Sequence, residues 1–524
     1  MIQVSEFQNL NINLYMGLSK SKYTTYCQCP KALWLRTYDP DKAAPIDEGA
    51  LARFATGNEV GDLAMQLFGD FVEVTSLKED GSLDLPAMIE KTNACLTDGT
   101  QNIAEASFAW QGNYCAVDIL HKTETGWAIY EVKSSSGSND PKKNTRKVLQ
   151  KYAYDIAYQK YVLRQCGVNV TGVYLVRLNS DYVRGEELDL QQLFHITEMS
   201  ELVAEEYAVV EQKIAAANYM LSQSFAPSIE LGEQCKKPYQ CGFFDYCRGE
   251  LPENSVFELY RLSFAKKLEL FKQGKITISQ LEPEDARNMI QQIQVSTYLF
   301  GEPESVDHEN IRKFLDEKIY YPLYFLDFET SQYAIPQFKN SKPYQQIPFQ
   351  YSLHYIEKPE GKLEHTEYLG DGVNDPRRAL AEQLVHDIPL GACTTAYNKG
   401  FECGRIKELA ELYPDLRDHL LDIRDHIVDF LDPFRQGYFY KESMHGSFSI
   451  KKVLPALFPD DPDLDYHNLS GSVHNGGDAM TIYPKMAQMT PEEREQTRKD
   501  LLEYCGLDTY AMVKVWEKLM EVSK

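Results

Sequence analysis

The stretch Tyr324-Phe-Leu-Asp327-Phe-Glu329-Thr330 decides how this chain is read. With Pro322-Leu323 before it, its apolar residues predict a buried strand over 322–327 that ends at two acids. Strand side chains alternate between faces, so Asp327 and Glu329 share one. Two carboxylates on one face repel unless a cation joins them, and an all-oxygen ligand set suits Mg2+ or Mn2+.

Downstream the pattern predicts strands over 349–356 and 363–368, a helix over 376–386, a strand over 392–397, a helix over 401–412 and a long final helix over 497–522. Alternating strands and helices imply an α/β fold with helices packed on a mixed sheet. Ala396-Tyr-Asn-Lys-Gly-Phe-Glu402 follows a strand and opens a helix, offering Asn398 and Glu402. Tyr504 and Asp508, four apart on the final helix, share a face. Asp429 in Ile427-Val-Asp-Phe430 is a further acid.

In order and spacing these blocks resemble the three motifs of the DEDD 3′–5′ exonucleases, the superfamily of proofreading exonucleases and RNase D. Asp327-x-Glu329 resembles the first motif, 398–402 the second and Tyr504-x3-Asp508 the tyrosine version of the third. Ser449-Ile-Lys-Lys452 before Pro455 resembles the stretch linking the last two. The resemblance implies an RNase H-like domain that hydrolyses phosphodiesters with two metals about 3.5–4 Å apart. It makes Asp327, Glu329, Glu402 and Asp508 metal ligands and has Tyr504 orient the attacking water. Glu402 departs from the pattern, which usually has Asp there.

Nearer the N-terminus, 103–110 alternates and ends at Gln111-Gly112-Asn113, a hairpin signal. Return and third strands are predicted over 114–121 and 127–132, a helix over 146–164 and another strand over 173–178. Asp118 lies on the second strand, and Glu131-Val-Lys133 puts Glu131 and Lys133 on one face of the third. Such a set can hold a divalent cation while the lysine steadies developing charge. Glu105 lies one strand earlier, and Gln159 and Tyr161 lie on the following helix. This resembles the RecB-type group of PD-(D/E)XK nucleases, which implies a restriction-endonuclease-like fold with Asp118 and Glu131 as metal ligands and Lys133 and Gln159 beside them. Members often carry a histidine after a glycine in an early helix. Here Gly57-Asn-Glu-Val-Gly61 has none, and Glu59 is the substitute.

Cys235, Cys241 and Cys247 fall within thirteen residues, and Cys29-Pro30 or Cys27 offers a fourth thiolate. Four thiolates suit a 4Fe-4S cluster or zinc. Some RecB-type nucleases resemble this frame, one early Cys-Pro and three late cysteines, and there it holds a 4Fe-4S cluster. Cys95, Cys115, Cys166, Cys393, Cys403 and Cys505 read as small buried residues.

A chain of 524 residues supports two to four domains. The expected division is a RecB-type domain over 1–252, a charged helical connector over 253–318 without strands, and a DEDD-type domain over 319–524. In the connector, 268–286 reads as helix, tight turn, helix. No apolar run reaches the ~18 residues of a membrane span. The first seventeen residues lack a basic start and an apolar core, so the expected compartment is the cytoplasm. A net charge of −24 points away from a simple nucleic-acid coat protein but suits carboxylate metal sites. Lys142, Lys143, Arg146, Lys147 and Lys151 form a local basic run, read equally as a solvated helix face or a phosphate contact. The expected partner is nucleic acid, DNA in preference to RNA. Two alternatives stand beside a two-nuclease chain: an N-terminal domain that only binds strands for the exonuclease, and a subunit of a larger repair or defence complex.

Overall fold

The computed structural model describes residues 17–46, 48–138, 140–142, 144–469 and 471–524. Lys143 of the basic run and all but the last of the first seventeen residues lie outside these. The chain is mixed α/β with several sheets. It divides into two units: the residues up to Glu250 with Tyr333–Tyr344, and Leu251–Gln332 with Gln345–Lys524. No helix among the described residues is long and apolar enough to cross a membrane.

The first unit holds a six-stranded sheet in sequential order: β1 (Val72–Glu73), β2 (Asn102–Trp110), β3 (Asn113–Lys122), β4 (Trp127–Gly137), β5 (Val170–Asn179) and β6 (Phe194–Glu198). Strands β2, β3 and β4 form an antiparallel meander. The β2–β3 turn uses Gln111 and Gly112, both at positive φ, as a tight hairpin requires. β4 and β5 run parallel, which needs a crossover.

Three helices matter here: α1 (Lys20–Gln28), α2 (Pro30–Tyr38) and the crossover α3 (Arg146–Gln165). Leu149, Tyr152, Ala153, Ile156, Ala157 and Val162 recur at helical spacing on α3 and are buried. Ser19 caps α1, its hydroxyl accepting from the Lys22 amide, and Cys29 separates α1 from Pro30, the first residue of α2. The chain enters through Gly17, where a Cβ would fall 1.3 Å from the Gly112 carbonyl oxygen, so only glycine fits.

In the second unit, β7 (Glu304–Val306) is followed by β8 (Leu323–Gln332), β9 (Gln346–Ile356), β10 (Glu364–Leu369), β11 (Cys393–Ala396), β12 (Ile427–Asp429) and β13 (Phe439–Lys441). Five of them make a sheet in the order β10-β9-β8-β11-β12. β8 is central, antiparallel to β9 and parallel to β11. The helices that carry the site are α4 (Gly400–Leu412), α5 (Ile450–Leu457) and α6 (Pro491–Val522). Thr490 and Glu493 form a capping box at the start of α6, with Pro491 at its first position.

The expectation for 253–318 is corrected in two places. A strand is present, since β7 pairs antiparallel with β13. The expected second helix of 268–286 is two isolated 3-10 turns, Ile278–Gln280 and Pro283–Asp285. Each opens with a side-chain capping box, Thr277 with Gln280 and Glu282 with Asp285, but the backbone is extended at Leu281, at Glu282 before Pro283 and at Ala286, which ends each after one turn. The next helix starts at Met289, and its Ile290 is buried in one cluster with Ile311, Leu315, Phe434 and Phe439.

Candidate metal centres and a cysteine pocket

β8 brings Asp327 and Glu329 to one face, and a β-bulge follows directly: Glu329 pairs with Gln350 but Thr330 with Pro348. Bulges re-aim side chains and recur beside active sites. α6 supplies Asp508, and ligand oxygens of Asp327, Glu329 and Asp508 lie within 4.8 Å of one another. Glu402, from the first turn of α4, stands outside this trio but lines the same cavity of about 280 Å3, with Tyr504 and Lys451. Glu402 is 3 % exposed and its Oε2 has no hydrogen-bond partner.

Among the described residues no ion pair reaches these four acids. Burial, then the neighbouring Asp508, Glu329 and Glu402 charges, pushes the Asp327 carboxyl well above the usual range. Burial with Asp508 and Glu402 raises Glu329 to about 8, against Lys451. Burial raises Glu402 to about 8, with Asp429 adding to it. Asp508 is raised by burial but held back by hydrogen bonds from Tyr466 and Tyr504 and by Lys451. The Tyr466 hydroxyl donates to Asp508 Oδ1 at 2.6 Å. The Lys451 ammonium sits 4.9 Å from the ring centroids of both Tyr466 and Tyr504 and donates to the His474 carbonyl at 3.0 Å.

Asn398 and Asp429 do not line the cavity. Asn398 takes a left-handed φ of 69°, and its amide donates to Asp429 Oδ1 at 2.8 Å. The Leu431 amide donates to the same oxygen at 3.0 Å. Asp429 therefore holds the turn into α4 and acts on Glu402 through its charge.

In the first unit the predicted residues also converge, in a different electrostatic state. Both Glu131 oxygens accept from the Lys20 ammonium, at 2.9 and 3.1 Å. Lys133 donates to Oε1 at 2.6 Å and Gln159 Nε2 to Oε2 at 2.6 Å. Asp118 Oδ1 lies 3.7 Å from Lys20, and its Oδ2 accepts from the Val132 amide at 2.6 Å. Lys133 also pairs with Asp155 at 2.9 Å. Burial alone would raise Glu131, but Lys133 and Lys20, with hydrogen bonds from Lys133 and Gln159, pull it down to about 2. Glu105, at φ 56° in β2, is raised by burial and Asp118 to about 7. Gln159 Oε1 is buried without a partner. Tyr161 packs on Tyr207 instead, with ring centroids 6.4 Å apart. Glu59 is exposed on its helix, where its charge acts on Tyr344.

Cys29, Cys235, Cys241 and Cys247 line one small enclosed pocket with Phe243 and Phe244. The Cys241 amide donates to the Cys235 carbonyl at 2.9 Å, closing the loop between them. Burial raises the Cys241 and Cys247 thiols, and Lys31 partly offsets this at Cys247. Cys27 faces Tyr23, not the pocket, so Cys29 is the fourth cysteine. Of the remaining cysteines, Cys166 is exposed and Cys403 half-buried, against the expectation of burial. Cys166 is the C-cap of α3, just before Gly167 turns left-handed, and a helix end is open to solvent.

Residues 324–449 match a family described as Domain of unknown function (DUF2779). The match includes Asp327, Glu329 and Glu402 and ends before Tyr466, Tyr504 and Asp508. No curated protein matches the chain.

Sequence reasoning missed Lys20, Asp155 and Tyr466. Asp155 had a signal, since it lies one turn before Gln159 on α3. Lys20 and Tyr466 had none, because each reaches its acid across a long sequence separation, 111 residues for Lys20 and 42 for Tyr466. In the basic run, Arg146 is paired with Glu205, and Lys151 lies 4.7 and 4.9 Å from the Tyr152 and Tyr239 rings. Lys142 and Lys147 are exposed.

Proposed function

We propose that the chain is a metal-dependent nuclease that removes nucleotides from 3′ ends of nucleic acid, DNA in preference to RNA, through Asp327, Glu329, Glu402 and Asp508. The observation that carries this reading is a cavity lined by four carboxylates, Asp327 half-buried and the other three buried, to which no cation is paired among the described residues. Like charges left in low dielectric call for a multivalent cation, and oxygen donors suit Mg2+ or Mn2+. The sheet order supports it: β10-β9-β8-β11-β12, with β8 central and β9 alone antiparallel to the other four strands, is the arrangement expected of an RNase H-like domain. Two divalent ions bound there would supply an activated water and charge stabilisation at the leaving 3′ oxygen.

The chain's own groups set up the rest. Asp327 and Glu329 are fixed by a central strand, and Asp508 is oriented by the Tyr466 hydroxyl. Tyr504, at the cavity wall, positions the attacking water. Lys451 lines the cavity and offers a positive charge for a substrate phosphate.

The first unit is proposed as a RecB-type second nuclease centre on Asp118, Glu131, Lys133 and Gln159, in a restriction-endonuclease-like fold. Its antiparallel meander and parallel β4–β5 crossover support this. The four-cysteine pocket fits a 4Fe-4S cluster, with zinc as the alternative, because four sulfur donors meet there within apolar walls. A second reading, in which this unit only binds nucleic acid, is favoured by the Lys20 ammonium already lying between Asp118 and Glu131.

The test is digestion of 5′- and 3′-labelled DNA and RNA by the full chain with Mn2+. The 5′-labelled strand is expected to shorten stepwise while the 3′ label leaves as a mononucleotide. Asp508→Asn is expected to slow this about a hundredfold or more. Undiminished digestion by that variant would remove the assignment.

A further inference from the structure

The two acidic centres differ in one respect. The acids around Asp327 have no cation paired to them among the described residues, whereas Asp118 and Glu131 already share one, the Lys20 ammonium. Lys20 takes both Glu131 oxygens and lies 3.7 Å from Asp118 Oδ1, between the two carboxylates a divalent ion would need.

Its place is built in. The buried Leu18 accepts hydrogen bonds on its carbonyl from the Tyr114 amide and the Tyr158 hydroxyl. Ser19 bridges to Tyr114 in parallel register and caps α1. Tyr23, one turn after Lys20, stacks on Tyr158 of α3 with ring centroids 4.8 Å apart. The side chain is nonetheless 24 % exposed, so it is not sealed from solvent.

A divalent ion and the Lys20 ammonium cannot both sit between Asp118 and Glu131. Expelling a charged lysine from two carboxylates is unfavourable unless another anion receives it. Nucleic acid supplies that anion at every residue, as a phosphodiester. We propose that Lys20 is an internal counter-ion of the first unit's acidic centre, displaced by a divalent cation and received by a substrate phosphate, so that metal and nucleic acid load that centre together. This rests on reading Asp118 and Glu131 as metal ligands. By linkage, the tightening of metal by nucleic acid equals the tightening of nucleic acid by metal.

The test is Mn2+ titration of the full chain followed by electron paramagnetic resonance, in a background carrying Asp327→Ala and Asp508→Ala to silence the other centre. The probe is a phosphorothioate DNA 12-mer, with its own Mn2+ binding subtracted. In the Lys20 parent the oligonucleotide is expected to tighten Mn2+ about tenfold. Lys20→Met is expected to bind that tightly without it and to show little further gain, while Lys20→Arg behaves as the parent. Melting temperatures give a second readout that holds even if Lys20→Met is poorly folded without metal: Mn2+ is expected to raise its melting point more than the parent's. Parent-like affinity in Lys20→Met, or undiminished coupling, overturns the proposal. Mn2+ binding that Glu131→Gln does not reduce in any background overturns instead the reading of this centre as a metal site, and the proposal with it.

Discussion

On the proposed exonuclease reading, Glu402 takes the place of a shorter Asp, and it brings a buried, unpartnered oxygen to the wall of the Asp327 cavity. With Glu329 it governs how the protein should respond to pH. Both carboxyls ionise near pH 4.5 when exposed and only near 8 in the folded, metal-free chain. Between those values the unfolded chain has released protons that the folded one keeps. Their contribution to stability is therefore full below about pH 4.5, falls as pH rises toward 8 and is lost above it. A divalent ion removes this penalty, so the Mn2+-induced rise in melting temperature is expected to be larger at pH 8 than at pH 5.5. An equal rise at both would mean that these carboxyls do not face the metal. Tyr466→Phe removes only the hydrogen bond to Asp508. It is expected to lower kcat about tenfold with KM little changed, measured on a 5′-labelled oligonucleotide.

At the scale of elements, the strands that carry acids were legible because their signals are local. Alternation, the Gln111-Gly112 turn and the apolar run before Asp327 each place a strand without knowledge of its neighbours. The segment 276–286 misled because its turns are real, but extended backbone at Leu281, Glu282 and Ala286 stops each after one turn, which the sequence pattern does not show. The bulge after Glu329 was invisible, since it is a property of the pairing between β8 and β9. The cysteine frame was legible as a set, while the choice between Cys27 and Cys29 was decided by packing: α1 ends between them and turns Cys27 to Tyr23. Cys29→Ser is accordingly expected to abolish the broad visible absorption of anaerobically purified protein and to lower its melting point, while Cys27→Ser preserves the colour. Colourless wild-type protein with stoichiometric zinc would assign the pocket to zinc.

For the whole molecule, the residue that joins sequence-distant parts is the hardest to foresee. Residues 333–344 leave β8 just after the acidic pair and belong to the first unit, where Ala334 and Ile335 are buried with Val60, Val176 and Leu193. The Tyr344 hydroxyl donates to the Ser134 carbonyl at 2.6 Å, next to Lys133. In sequence the segment is an ordinary loop between two strands, and its partners lie about 150–210 residues earlier. A fragment ending near residue 252 lacks it, so the first unit's chemistry is best measured in the full chain. Ile335→Ala is expected to destabilise that unit by about 2–4 kcal/mol, seen as a lower thermal midpoint. An unchanged midpoint would show that the segment does not complete that core. The central claim, that Asp327, Glu329, Glu402 and Asp508 hold divalent ions, is tested most directly by anomalous diffraction at the manganese edge from crystals of the full chain soaked in Mn2+. Two peaks in contact with these four carboxylates are expected. Manganese bound elsewhere, with none among these carboxylates, would contradict the claim.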